Sequence, residues 1–364
     1  MSRLSAFHRR LCLEGPRHLG ERLLQALLIP LGRLYGLIGL VRARFYAWGI
    51  LPSYRAPVPV ISVGNLSAGG TGKTPAVDYL LRQLLRQGLR VAVVSRGYGG
   101  TARQGVHVVS SGQGPVIDPT VCGDEPYLLA RRNPEALVVV APKRSLGVRL
   151  AVEELGAHIV ILDDGFQHLA VQRDLNLVLL DARHPLGNGH PLPAGLLREF
   201  PTALSRGDLF ILTRWHENSP LPPPLPGPVL HSRHVLSGEA RDLEGKQVAL
   251  TELHGKKAIA FAGIASPESF FHDLRQKGMN LIETFAFADH AVYDEILLQR
   301  LNNAAAQADI FVTTEKDGVK LSTGQLPRPC WQVPMTLELV EGVIFDDALK
   351  PLTDRLSGHR SPRS

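Results

Sequence analysis

The sequence predicts an α/β protein: a mostly parallel sheet with helices on both faces, a second, smaller α/β unit after it, and an apolar, basic helical segment before it. Three observations carry that expectation. From Ala56 to Thr213, short continuous apolar runs alternate with amphipathic stretches, the pattern of strands buried on both faces and joined by crossover helices. A glycine-rich turn, Ser67-Ala68-Gly69-Gly70-Thr71-Gly72-Lys73-Thr74, lies between one such run and one such helix. The alternation then restarts beyond Ser219–Pro228, where six of ten residues are proline, a stiff extended connector. The expected division is 1–55 membrane-associating helices, 56–218 nucleotide-binding domain, 219–256 connector with short strands, and 257–364 smaller α/β domain.

The first segment is set apart by charge. Residues 1–55 hold nine arginines against Glu14 and Glu21, whereas the whole 364-residue chain carries only +6. A nucleic-acid binder spreads its positive charge over the folded domain. Here the charge sits beside the apolar stretch Leu23–Val41, which points to an anionic membrane surface and not to nucleic acid. Pro30 and Gly32 are expected to interrupt that stretch, and Arg33 near its middle disfavours a clean span. The expectation is a helix pair lying in the membrane interface, the alternative being a helix packed on the domain. Three widely spaced cysteines, Cys12, Cys122 and Cys330, define neither a disulfide framework nor a zinc site.

The elements of the larger unit follow in order. Val58–Val63 reads as a strand, and Pro75–Gln87 as a helix burying Val77, Leu80, Leu81, Leu84 and Leu85 before Gly88 ends it. Strands are expected at Arg90–Ser95, Leu137–Val140, His158–Leu162, Leu175–Leu180 and Leu209–Thr213. Helices are expected from Cys122 to Arg131 and over Ser145–Leu155. Val229–Leu250 reads as short strands and turns. In the smaller unit a strand at Ala258–Ala262 precedes a helix with Ser266 as N-cap and Pro267 at its first position. Helix at Asp294–Ala308, a strand at Ile310–Thr313 and a disordered tail from Ser357 complete the expectation.

The chemistry begins at the glycine-rich turn. Strand, glycine-rich turn and helix in that order form a phosphate-binding loop, the mark of a P-loop NTPase-type sheet. Ala68, Gly69, Gly70, Thr71, Gly72, Lys73 and Thr74 would cradle the phosphates of ATP, with backbone N–H groups turned inward and the helix N-terminus behind them. Lys73 would reach the outer phosphates and Thr74 would ligand Mg²⁺. Ser67 stands where that motif usually begins with glycine. His158–Leu162 runs into Asp163-Asp164-Gly165-Phe166-Gln167-His168, and a carboxylate at the tip of a buried strand near a phosphate loop is where NTPases hold Mg²⁺. Asp124, before Glu125 and Pro126, is either a helix N-cap or a base toward a hydroxyl acceptor, which would need a partner. His290 in Phe287-Ala288-Asp289-His290, and the Arg198-Glu199 pair in Pro193–Glu199, are further candidates. Thr313–Asp317 ends a strand facing the expected cleft.

In chain order, SVGNLSAGGTGKTP, SRGYGG, GDEPYLLA, ILDDGFQH, RDLN, PAGLLRE, FADH and TTEKDGVKL resemble the tetraacyldisaccharide 4'-kinase family, the lipid A 4'-kinases of Gram-negative bacteria. The resemblance spans roughly residues 30–322, and that family's loop also lacks the first glycine. Leu196 in the PAG-x-LRE loop and Lys143, where an acid is usual, are small departures. The resemblance implies ATP-dependent phosphorylation of the 4'-hydroxyl of a tetraacyl disaccharide 1-phosphate at the cytoplasmic face of the inner membrane. It also implies an Asp124–His290 catalytic pair, Lys73 and Thr74 on phosphates and Mg²⁺, and an active-site shell of Asp163, Asp164, Gln167, Arg198 and Glu199. Metal candidates are therefore Thr74, Asp163, Asp164, Gln167 and Glu199, and catalytic candidates Asp124, His290, Lys73 and Arg198. A membrane-associated regulatory NTPase is the competing reading, distinguished by turnover that does not require glycolipid.

Overall fold

The computed structural model describes residues 3–102 and 104–357, within which the chain forms a nine-stranded and a six-stranded sheet. Across the larger sheet the order is Met335–Leu339, Val229–Leu236, Leu209–Thr213, Leu175–Asp181, Val60–Asn65, Ile159–Asp163, Val91–Ser95, Leu137–Val140 and His107–Ser111. The inner strands are parallel, and each edge strand is antiparallel to its neighbour. Val60–Asn65 sits in the middle and is buried along its whole length. Because successive side chains point to opposite faces, Ile61 and Val63 pack under Val77, Leu80 and Leu81 of the helix Lys73–Arg86, whereas Val60 joins Val148 and Ala151 of the helix Arg144–Glu153. Both faces are thereby covered, as parallel strands require.

The smaller sheet runs Gln247–Ala249, Glu239–Asp242, Cys330–Val333, Ile310–Thr314, Lys257–Ala262 and Asn280–Ala286. Its last four strands are parallel. Phe270, Phe271 and Leu274 fill one side, and Tyr293, Leu301 and Phe311 fill the other.

The expected division at residue 257 requires correction. Met335–Leu339 pairs with Val229–Leu236 in the larger sheet, and the helix Gly342–Ser357 places Phe345, Leu349 and Leu352 in that sheet's core. The 219–256 stretch is shared too, its first strand joining the larger sheet and its later two the smaller. An uncovered edge strand leaves a row of unpaired backbone groups, and the returning segment covers that edge. The disordered tail expected from Ser357 lies outside the described residues, apart from Ser357 itself, which ends the last helix.

The N-terminal segment is also corrected. It forms helices at Arg3–Glu14 and Leu19–Ala47, and the second continues through Pro30 and Gly32 without a break. Proline costs the helix one internal hydrogen bond, yet tertiary docking holds both halves. A Cβ on Gly32 would lie 2.8 Å from the Pro191 carbonyl oxygen, and one on Gly36 would lie 2.7 Å from the Phe200 ring. Gly32, expected to interrupt the helix, is thus one of its points of closest approach, whereas Pro30 is exposed. At 100° per residue, Leu23, Leu27, Leu31, Leu34 and Ile38 fall on the opposite side, all exposed. By length and composition the helix is apolar enough to cross a membrane. Gly32→Leu should press on a backbone carbonyl that cannot yield, costing about 1–3 kcal/mol. A drop in Tm with the helix loosened in hydrogen exchange would bear this out, and an unchanged Tm would not.

Candidate active site

A cleft of about 1540 Å³ opens between the two sheets, lined by the glycine-rich loop, Asp163, Asp164, Arg198, His290 and Lys316, with Tyr35, Ile38 and Arg42 of the long helix at its border. The loop leaves the central strand of the larger sheet and is shaped by a residue that motif reading passed over. The buried Asn65 amide donates 2.8 Å bonds to the Ser67 carbonyl and the Thr71 hydroxyl, and its oxygen accepts from Lys73 Nζ at 3.3 Å. Its place directly before the loop, in SVGN, was the available signal. From the end of Leu209–Thr213, two strands away in the same sheet, Thr213 Oγ1 donates to the Thr71 carbonyl at 2.9 Å, and Arg214 donates to that of Gly70 at 2.9 Å. Gly72 adopts φ 80, and a Cβ there would lie 2.5 Å from His234 Nε2, so glycine is needed for both angle and space. Ser67 forms an isolated antiparallel bridge with Leu197. That extended conformation suits any residue, which is why no glycine is needed there.

The aspartate pair after Ile159–Asp163 divides in two. Asp163 is 4% exposed and accepts from Ser95 Oγ at 2.9 Å through Oδ2, while Oδ1 is buried without a hydrogen-bond partner. Burial, then Glu125 and Asp164, push its carboxyl up to about 6. Asp164, held at φ 52, accepts from Arg198 at 2.9 Å through both oxygens and lies 3.5 Å from Lys73 Nζ. Burial raises its carboxyl, but Lys73 and Arg198 outweigh that and hold it below the usual range.

Two members of the expected metal set are engaged elsewhere. Glu199 takes both guanidinium nitrogens of Arg206, at 2.8 and 2.9 Å. The Gln167 side chain donates to the Asn65 carbonyl at 2.9 Å and accepts from Arg198 at 3.3 Å. The glutamate thus has both oxygens bonded to arginine, and the amide spans two elements. A buried, unpartnered carboxylate oxygen is by contrast what a divalent cation fits, and Asp163 provides one. No cluster of three or more His, Cys, Asp or Glu side chains suited to a metal occurs among the described residues.

Across the cleft, the two sheets contribute one side chain each to a pair. Asp124 begins the helix Asp124–Arg132 and is 6% exposed. Its Oδ1 accepts from the Glu125 N–H at 3.0 Å, and Oδ2 lies 3.1 Å from His290 Nδ1 and 3.4 Å from Lys320 Nζ. The N-cap is Gly123, so Asp124 is the first residue of the helix and not its cap. Burial raises the carboxyl, but the His290 bond, Lys316 and Lys320 outweigh it and bring it to about 2. His290 sits at φ 58 on the turn after Asn280–Ala286, its backbone N–H bonded to the Gly263 carbonyl at 3.1 Å and Tyr98 edge-on at 5.2 Å between ring centroids.

The loop Pro193–Glu199 ties these parts together. The Leu196 carbonyl accepts from the Ala68 N–H at 2.6 Å, and the Arg198 N–H donates to the Leu66 carbonyl at 2.8 Å. Its neighbours Pro191 and Phe200, and its own Ala194, are what Gly32 and Gly36 of the long helix approach.

A family model described as tetraacyldisaccharide-1-P 4'-kinase matches residues 24–353. A tetraacyldisaccharide 4'-kinase of Syntrophotalea carbinolica is 55% identical, with 97% of this chain and 99% of the relative covered. One from Geobacter sulfurreducens is 45% identical over 87% of this chain and 90% of its own. The crystal structure of LpxK from Aquifex aeolicus in complex with ATP superposes with a TM-score of 0.76 at 34% identity, covering 92% of this chain and 99% of that one. On the strength of a family match along nearly the whole chain, matched again in fold, this chain belongs to the tetraacyldisaccharide-1-P 4'-kinase family.

Proposed function

We propose that this chain transfers the γ-phosphoryl group of ATP to the 4'-hydroxyl of a tetraacyl disaccharide 1-phosphate, working at the cytoplasmic face of the bacterial inner membrane. The observation that carries the reading is the 3.1 Å Asp124–His290 contact, built from both sheets and set in the same cleft as the phosphate loop. A nucleotide switch has no use for a hydroxyl-activating pair built across two sheets. The relative solved with ATP supports the nucleotide.

The loop backbone from Ala68 to Thr74 binds the phosphates. Asp124 and His290 act together on the acceptor hydroxyl and take its proton as the sugar oxygen bonds to the γ-phosphorus. The bond from that phosphorus to the β-phosphate oxygen breaks, and ADP leaves. Lys73 and Arg198 lie on the Asp164 side of the cleft and offset the charge on the transferring group, so catalysis is mainly positioning and electrostatics. Thr74 and Asp163 would hold Mg²⁺, which supplies charge neutralisation at the phosphates. Asp164, Gln167 and Glu199 keep the cations and the loop in place.

Membrane contact falls to the exposed side of the long helix. Leu27, Leu34 and Ile38 are 72%, 56% and 61% exposed, and each buried leucine side chain contributes roughly 1.5–3 kcal/mol. Flanking arginines add on the order of 1 kcal/mol each at an anionic surface. Replacing Leu27, Leu31 and Leu34 together by Gln should reduce co-sedimentation with anionic vesicles and raise the apparent KM for lipid, with the KM for ATP little changed. Unaltered vesicle binding would move the contact elsewhere. The activity itself is tested with purified protein, labelled ATP and lipid A disaccharide 1-phosphate, products being separated by chromatography. ATP hydrolysis that proceeds equally without glycolipid would overturn the kinase reading.

A further inference from the structure

The Asp124–His290 pair has a third member that the reaction as described leaves without a role. Lys316 lies two residues past the strand Ile310–Thr314, in the short helix Glu315–Gly318. Its ammonium lies 3.2 Å from His290 Nε2, 3.0 Å from Glu125 Oε1 and 3.4 Å from Asp289 Oδ1. Three donors thus meet three partners drawn from both sheets. An ammonium has no lone pair to offer, so at 3.2 Å it must be the donor and Nε2 the acceptor. Nδ1 then carries the ring proton and donates it to Asp124 Oδ2, which lies 3.1 Å away.

We propose that Lys316 is a positioning residue that fixes His290 as the neutral, Nδ1-protonated tautomer and so keeps the pair in its proton-accepting state, a carboxylate beside an uncharged ring. This rests on the kinase reading above. The groups facing the ring all bear on it. Asp124 accepts its proton, and Lys320 lies 3.4 Å from that carboxylate and 3.6 Å from Asp317. Asp289 lies 4.0 Å from Nε2, and Tyr98 presents its ring edge-on. Lys316 is the member of this set that occupies Nε2, and its charge opposes a second proton there. Burial disfavours its charged form, but Glu125, Asp124 and Asp289 outweigh that and hold its proton more firmly than usual. Without Lys316, Glu125 and Asp289 would face the ring unneutralised, and a second proton on His290 would weaken Asp124 as an acceptor.

Two measurements test this. In protein carrying ¹⁵N-histidine, with the His290 signals assigned by their loss in His290→Gln, long-range ¹H–¹⁵N correlations at neutral pH should show the proton on Nδ1. A proton on Nε2 in the wild-type protein would overturn the assignment, whether or not the chain phosphorylates the glycolipid. In Lys316→Met, the acid limb of the kcat/KM profile should move up by about half a pH unit or more. The kcat should fall at least about tenfold, while the KM for ATP stays within about twofold. Lys316→Arg, which retains the charge, should leave the acid limb near its wild-type place. An unmoved acid limb in a folded Lys316→Met would reduce Lys316 to a tie between the sheets. Should Lys316→Met fail to fold, the wild-type tautomer alone decides.

Discussion

Lys73→Ala should lower kcat by about 10²-fold or more while the protein stays folded. The ammonium is anchored from two sides, 3.3 Å from Asn65 Oδ1 and 3.5 Å from Asp164 Oδ1, so it is aimed before nucleotide arrives. Removing it does not strand its partners. Asp164 keeps Arg198 on both oxygens, and the Asn65 amide keeps its bonds to Ser67 and Thr71. The loss should therefore appear in turnover, with a nearly unchanged Tm. Steady-state kinetics alongside calorimetry check it. Near-wild-type turnover in a folded variant would leave the loop a structural feature only.

Asp124→Ala and His290→Ala should each depress turnover strongly, with ATP affinity close to normal because neither belongs to the phosphate loop. The double variant should be little worse than the more damaging single one, since groups acting as a unit are not additive. The local arrangement favours a clean measurement. Lys320 retains Asp317 at 3.6 Å after Asp124 is lost, and Lys316 retains Glu125 at 3.0 Å after His290 is lost, so no buried cation is left alone. If the two free-energy losses summed in the double variant, Asp124 and His290 would be acting separately.

Much of this was legible in the sequence, for identifiable reasons. The central strands announced themselves because parallel strands buried on both faces are unbroken apolar runs, and Leu137–Val140 and Leu209–Thr213 begin and end where the sequence puts them. The loop and the aspartate pair were legible because their glycines and acids have few other uses at such strand ends. Contacts between distant segments were not. Nothing local tells that Met335–Leu339 returns to the larger sheet, or that Gln167 and Glu199 spend their polar atoms on Asn65, Arg198 and Arg206. Lys316 stood in a motif at a strand end, but its three partners lie 26 to 191 positions away. Gly32 misled because composition alone cannot separate a helix breaker from a contact point. The smallest residues lie where another backbone comes closest.

That close approach has a consequence for how the molecule can be altered. The long helix rests on the same loop whose Leu196 carbonyl and Arg198 hold the first residue of the phosphate cradle and the aspartate beside it. Arg42 of the helix also reaches the Gln167 carbonyl. The helix is therefore a wall of the catalytic chamber and not a detachable appendage. Shortening it, or exchanging it for an unrelated apolar helix, would disturb the chemistry even with soluble substrate analogues. A variant with a polar outer side should keep Gly32, Gly36 and Arg42 and recolour only the outer leucines.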